Sequence, residues 1–233
     1  MNRFLKRAWA EIDLDALTHN YNEIKKLAKG KEILAVVKAN AYGHDDKAVC
    51  LKLQDLGVKY YGVSNLWEGE KLRQHGITGT ILTFGYTDED YFDELLEYGI
   101  TQTAGSVQYA KELSDYAVSK GVKLPVHIKV NTGMTRVGID TEEEMLDILA
   151  MPGLDCKAAY THFAAADSFD EDDVQYTNKQ QEKLMKIASD KGLLIHSQNS
   201  GGIVYHSDFG GDIVRAGVIL YGHCPNSVSY THL

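Results

Sequence analysis

Short apolar runs recur along the chain, each closed by polar or turn-forming residues. The first unbroken one, Ile33 to Val37, leads into Lys38 and the loop Ala39 to Gly43. Such a run reads as a strand buried on both faces, as in a parallel sheet. Comparable runs follow at Tyr60–Ser64, Thr80–Phe84, Gln102–Ala104, Val126–Val130, Ala158–His162, Leu194–Gln198 and Ile213–Arg215. Helical spacing fills most of the gaps, at Trp67–His75, Asp88–Tyr98, Val107–Ser119, Thr141–Leu149 and Asp173–Lys191. Gly57, Gly76, Gly99, Gly121 and Gly192 stand where these helices should end. Eight strands alternating with helices predict an α/β fold, a (β/α)8 TIM-type barrel. Ahead of it, Ala8–Leu14 alternates apolar and acidic residues as a half-exposed strand would. Leu17, Tyr21, Ile24 and Leu27 then mark a helix from Asp15 to Lys29, stopped by Gly30.

A barrel of this kind places its site at the C-terminal ends of the strands. Lys38 and Tyr42 follow run one, Lys129 and Arg136 run five, and His162 ends run six. Asn199, Ser200 and Gly201 follow run seven; Arg215, Gly217 and Val218 close run eight. A lysine at a strand end is either an exposed residue or a partly desolvated amine, and the second suits Schiff-base chemistry. Tyr42 and Gly43 fit a ligand loop. Ser200-Gly201-Gly202 at the start of a short helix, faced by Gly217 and Val218, forms either an ordinary loop or the two halves of a phosphate cup. Arg136 reads as a turn residue or as a fork for a carboxylate or phenolate. His162 reads as a satisfied core imidazole or a ring beside a ligand. Arg215 reads as a site residue or as a buried partner of Asp212.

Composition narrows this. The 233 residues carry a formal net charge of −9, which argues against nucleic acid or an anionic membrane surface as partner. Three cysteines (Cys50, Cys156, Cys224) without a C-x-x-C pair indicate neither a disulfide framework nor a metal site. No run approaches the ~20 apolar residues of a membrane span. No apolar core of a signal peptide follows the basic N-terminus, so a cytoplasmic location is expected.

Val36-Val-Lys38-Ala-Asn-Ala-Tyr42-Gly-His44 resembles the cofactor-lysine signature of the alanine racemases. His127-Ile-Lys129-Val-Asn-Thr-Gly-Met-Thr-Arg136 and Asp212-Ile-Val-Arg215-Ala-Gly217 are similar to two further segments of that family. The resemblance implies a racemase interconverting L- and D-alanine with pyridoxal 5'-phosphate (PLP), supplying D-alanine for peptidoglycan of the cell wall. It implies Lys38 as the Schiff-base residue and acid/base on one face of Cα, and Arg136 at the cofactor's phenolic oxygen. Tyr42, His162, Asn199, Ser200, Gly201, Arg215, Gly217 and Val218 become cofactor-binding residues, with Arg215 facing the pyridine nitrogen. Lys129 becomes a candidate for carbamylation. No metal is implied, and the partner is a second copy, as a homodimer.

Two departures stand out. Asp45 replaces the family's glycine after His44, where it is expected to cap a helix. Residues 226–233 do not align. Members continue into a β-rich C-terminal domain that carries a second base, a tyrosine. The expected organisation is therefore a strand over residues 1–14 pairing with that absent domain, a PLP-binding barrel over 15–225 and an unaligned tail. Without that base the chain is expected to be poorly active. A single-domain PLP carrier and a serine racemase remain as alternatives.

Overall fold

A computed structural model describes residues 9–225. Eight parallel strands form the barrel in the order β7-β6-β5-β4-β3-β2-β1-β8. They are β1 (Glu32–Val36), β2 (Tyr60–Val63), β3 (Thr80–Thr83), β4 (Thr101–Ala104), β5 (Leu124–Lys129), β6 (Leu154–Tyr160), β7 (Leu194–His196) and β8 (Ile213–Ala216). Every expected run holds a strand. The two ends of the sheet meet in a seam, where Asp212 N–H donates to Ile195 O at 2.8 Å and Arg215 N–H to Gln198 O at 2.9 Å.

Alternation along each strand divides the apolar residues between two cores. Ile33, Ala35 and Val37 pack outward into the large cluster shared with the helices. Leu34 and Val36 join Leu82 and Ile213 in a separate cluster inside the barrel, with Tyr60 and Phe84 against it. Each fully buried Leu, Ile or Val among them contributes roughly 1.5–3 kcal/mol on burial. β4 is polar in sequence (Thr-Gln-Thr-Ala) yet wholly buried, because its side chains are satisfied by neighbouring backbone and hydroxyls.

The helices α1 (Leu14–Leu27), α3 (Asp46–Asp55), α4 (Leu66–Gln74), α5 (Phe92–Glu97), α6 (Val107–Ser119), α7 (Glu142–Leu149), α8 (Glu171–Ala188) and α9 (Ser200–Tyr205) surround it. The helix-ending glycines carry positive φ, from 56° at Gly99 to 92° at Gly57, the conformation glycine adopts without strain. Asp45 accepts the Ala48 N–H and caps α3, as expected.

Two elements differ from the sequence expectation. The helix over Asp88–Tyr98 divides into a 3-10 turn (Glu89–Tyr91) and α5. The strand over Ala8–Leu14 is not found at 9–14: residues 9–13 pair with no strand among the described residues, and Leu14 opens α1. The Asp13 carboxylate takes the N–H groups of Asp15 and Ala16, so the acidic residue read as strand alternation is a helix cap. Residues 1–8 of that strand, and the tail 226–233, lie outside the described residues.

Candidate functional site

Lys38, Tyr42, Lys129, Arg136, His162, Asn199, Ser200, Gly201, Arg215, Gly217 and Val218 all line one cavity of about 940 Å³ at the C-terminal mouth of the barrel. Four basic side chains face it, against the carboxylate of Asp167 alone, so the cavity favours an anionic ligand.

Lys38 begins the segment α2 (Lys38–Gly43), which departs from ordinary helix geometry. Ala39, Asn40, Ala41 and Tyr42 all lie near φ 52–56°, a turn of left-handed helix built without glycine. Such residues cost about 1–2 kcal/mol each, so the turn must be held from outside. Val37 O accepts the Ala41 N–H at 2.9 Å. Glu68 of α4 accepts the Ala39 N–H at 2.8 Å, and Asn40 Oδ1 takes the Asp46 N–H at 3.1 Å. His44 Nδ1 stands 3.1 Å from both Ala41 O and Tyr42 O, so that nitrogen carries the proton.

Across the cavity, the Asn199 side chain caps α9 by accepting the Gly202 N–H. Ser200 Oγ accepts the Gly217 N–H at 3.2 Å, which joins the loops after β7 and β8. A Cβ on Gly217 would stand 3.3 Å from Tyr42 Oη and 3.5 Å from Ser200 Oγ. The missing side chain therefore leaves a hollow edged by two hydroxyls. Gly201 is glycine for another reason: its Cβ would meet the Ala166 backbone at 2.9 Å, where α9 crosses the loop after β6.

Beneath the cavity lies a buried polar layer. Arg215 donates to three carbonyls, His196 O (2.7 Å), Thr161 O (2.6 Å) and Ser197 O (2.9 Å). It also reaches His196 Nδ1 at 3.3 Å and His162 Nδ1 at 3.5 Å. A guanidinium only donates, so both imidazoles accept through Nδ1 and keep their proton on Nε2. His196 can then donate to His127 Nδ1, 3.1 Å away. Burial, with Arg215 nearby, pushes His162 down to about 3. Burial alone takes His127 to about 4, and His196 falls well below the usual range. The expected alternative of an Arg215–Asp212 ion pair is not formed: Asp212 accepts the Ile195 N–H instead. Burial lowers Arg215 only to about 10, so it stays cationic near neutrality.

Lys129 is 7 % exposed and hydrogen-bonds to Val130 O at 3.2 Å, with its Nζ 5.2 Å from the centre of the Tyr160 ring. Burial first, then Arg215 and Arg136, lower its pKa to about 7. The cavity also includes residues the sequence did not single out as site residues: Val36, His44, Phe84, Val137, Tyr160, Asp167, Tyr221 and the segment Gly222 to Pro225. Tyr221 donates to Val36 O at 3.0 Å, and its ring lies 5.1 Å from that of Tyr42 and stacks on His44 at 4.8 Å. Its signal was available four residues beyond Gly217, at the same rim.

The family model described as alanine racemase, N-terminal domain, matches residues 12–225. An alanine racemase of Clostridium perfringens is 40% identical over 97% of this chain, which covers 60% of that protein. A solved alanine racemase of Clostridium difficile 630 superposes with a TM-score of 0.89 at 34% identity, covering 98% of this chain and 62% of that one. A histidine racemase from Leuconostoc mesenteroides superposes at 0.83 with 28% identity, covering 92% and 59%. The chain thus spans about three fifths of the length of these relatives. With the barrel and the sequence in agreement over nearly all of this length, the chain belongs to the alanine racemase family, to the part described as its N-terminal domain.

Proposed function

We propose that this chain is the cofactor-bearing barrel of a PLP-dependent racemase acting on alanine. The observation that carries the reading is that Lys38 opens into the same cavity as the hollow at Gly217. The residues present suit the cofactor. Tyr42 and Ser200 offer hydroxyls to a phosphate, Gly217 leaves room beside them, and the basic lining offsets the phosphate charge. Lys38 would attach the carbonyl carbon, His162 would pack against the ring, and Arg136 would meet the phenolic oxygen.

Bound there, PLP would supply an electron sink that acidifies the Cα–H of an amino acid. Lys38 Nζ, as a free amine, would move a proton on one face of the substrate Cα. Arg215 would donate to the pyridine nitrogen without giving up its proton, since it remains cationic near neutrality. Lys129 titrates near neutrality among arginines, so its uncharged amine is available to carbon dioxide; a carbamate would give Arg136 an anionic partner.

Alanine is the substrate named for the C. perfringens and C. difficile relatives, while the histidine racemase makes the side-chain preference a matter for assay. A second base on the opposite face, a homodimer and D-alanine supply for the cell wall belong to the same proposal. Among the described residues no helix is long and apolar enough to cross a membrane. Borohydride reduction of the PLP-loaded chain should fix the cofactor on Lys38, and Lys38→Ala should abolish it. A Lys38→Ala variant that still carried covalent cofactor would reject the assignment. Alanine, serine and histidine exchange should be slow in the 233-residue chain and faster in a chimera bearing a family C-terminal domain; equal rates would show that the barrel is sufficient.

A further inference from the structure

β1 and β2 lie side by side, and the loops that leave them meet at one carboxylate. Glu68 Oε1 accepts the Ala39 N–H at 2.8 Å, and Oε2 accepts the Ser64 N–H at 2.7 Å. Further along α4, Lys71 and His75 contact the Asp46 carboxylate at 2.9 and 3.5 Å. The N–H of Asp46 is bound in turn by Asn40 Oδ1. One helix therefore holds the first residue of the left-handed turn, Ala39, directly and reaches the second, Asn40, through Asp46.

The Ala39 N–H belongs to the rigid peptide unit that follows Lys38. Fixing that plane fixes ψ of Lys38, and with it the direction in which the lysine side chain leaves the backbone. We infer that Glu68 is a positioning residue: it holds the peptide after Lys38 in the left-handed turn and so aims the lysine amine into the cavity. The inference rests on Lys38 being the attachment residue. An ionised carboxylate suits this place because both its oxygens accept. Glutamine would turn an amide N–H toward one of the two backbone donors.

The test uses the 233-residue chain with Glu68→Gln and Glu68→Ala, each alone and combined with Ala39→Gly. The two probes are pyridoxal 5'-phosphate and pyridoxine 5'-phosphate, which has the same ring and phosphate but no aldehyde to react with lysine. In Glu68→Gln, amide exchange at Ala39 and Ser64 should accelerate about tenfold or more, as expected for losing a hydrogen bond to a charged group. Pyridoxal 5'-phosphate should bind about tenfold more weakly and be trapped on Lys38 more slowly, while pyridoxine 5'-phosphate should change by less than about twofold. Ala39→Gly should restore most of the loss, because glycine holds positive φ without strain. Parallel weakening of both probes, or no recovery with Ala39→Gly, would overturn the inference. If Glu68→Ala fails to fold, the isosteric Glu68→Gln carries the result. If the unsubstituted chain is not trapped on Lys38, the functional assignment fails instead. The clamp is then decided by exchange alone: acceleration at Ala39 and Ser64 upholds it, and unchanged rates refute it.

Discussion

The two sides of the cavity are built on opposite plans. On the β7–β8 side, glycine stands where space is needed, an asparagine caps a short helix, and the guanidinium and imidazoles below are buried and paired. On the β1 side, four residues with side chains occupy a conformation that favours glycine, held there by carboxylates and an asparagine. Space for a ligand can be supplied by a missing side chain and needs little upkeep. Direction for one reactive amine requires a fixed backbone, and here that backbone is strained and clamped from a neighbouring helix. If the contrast is sound, each side should fail under a different challenge.

Acid should give the largest effect and act on the β7–β8 side. His127 and His162 have folded pKa values near 4 and 3, and His196 lies well below its usual value. All are below the 6.5 of unfolded imidazole. As pH falls below 6.5 the unfolded chain takes up protons that the native one excludes. Stability is therefore intact above 6.5 and lost progressively toward pH 4, on the order of 3 kcal/mol for His127 alone. Denaturant titrations across that range should show it, and His127→Leu should flatten the limb. Hydrogen exchange at pH 4.5 should open β5, β6 and β7, which carry or precede the three imidazoles, before β1 and β2; simultaneous opening would erase the contrast.

Filling the hollow comes next. Gly217→Ala places its methyl at 3.3 and 3.5 Å from the two hydroxyls, a tolerable contact, so the fold should persist while PLP affinity drops about tenfold or more. Gly201→Val drives a side chain into the backbone of Ala166 and Asp167 and should also lower stability, by about 1–3 kcal/mol. PLP titration beside thermal unfolding separates the two. Unchanged affinity in Gly217→Ala would remove the cup.

The smallest effect tests the strained side. Ala39→Gly relieves left-handed strain but adds freedom to the unfolded chain, for a net gain of about 0.5–1 kcal/mol. Gly57→Ala, where φ is 92°, should lose about 1 kcal/mol. Opposite shifts in urea midpoint from these inverse substitutions are expected. A loss in Ala39→Gly would mean that the turn is not strained as its dihedral angles indicate.

Legibility in the sequence follows the same division. Buried parallel strands read directly as apolar runs, and glycines marked helix ends because positive φ has few other occupants. Ser200 and Gly217 were visible because hydroxyl and glycine are the residues such a hollow needs. Nothing in Ala39-Asn-Ala-Tyr42 announces a left-handed turn, and the carboxylate that accepts its first N–H, Glu68, is 29 residues further along the chain. The His127–His196 contact spans 69 residues and appears only when the barrel closes. Asp13 was legible only in part: its backbone is extended, as the alternation suggested, while its carboxylate also caps the helix that begins one residue later.

The seam between β7 and β8 has a mechanical meaning. A barrel is a hoop, and a hoop under tension parts where its stitching is sparse. Arg215 sits on that line, with its own N–H tied to Gln198 O and its guanidinium to carbonyls of residues 161, 196 and 197. The side chain that faces the cavity is thus also the rivet of the ring. A ligand that met that guanidinium would touch the ring at its join, while Asp212 ties the same seam independently through Ile195.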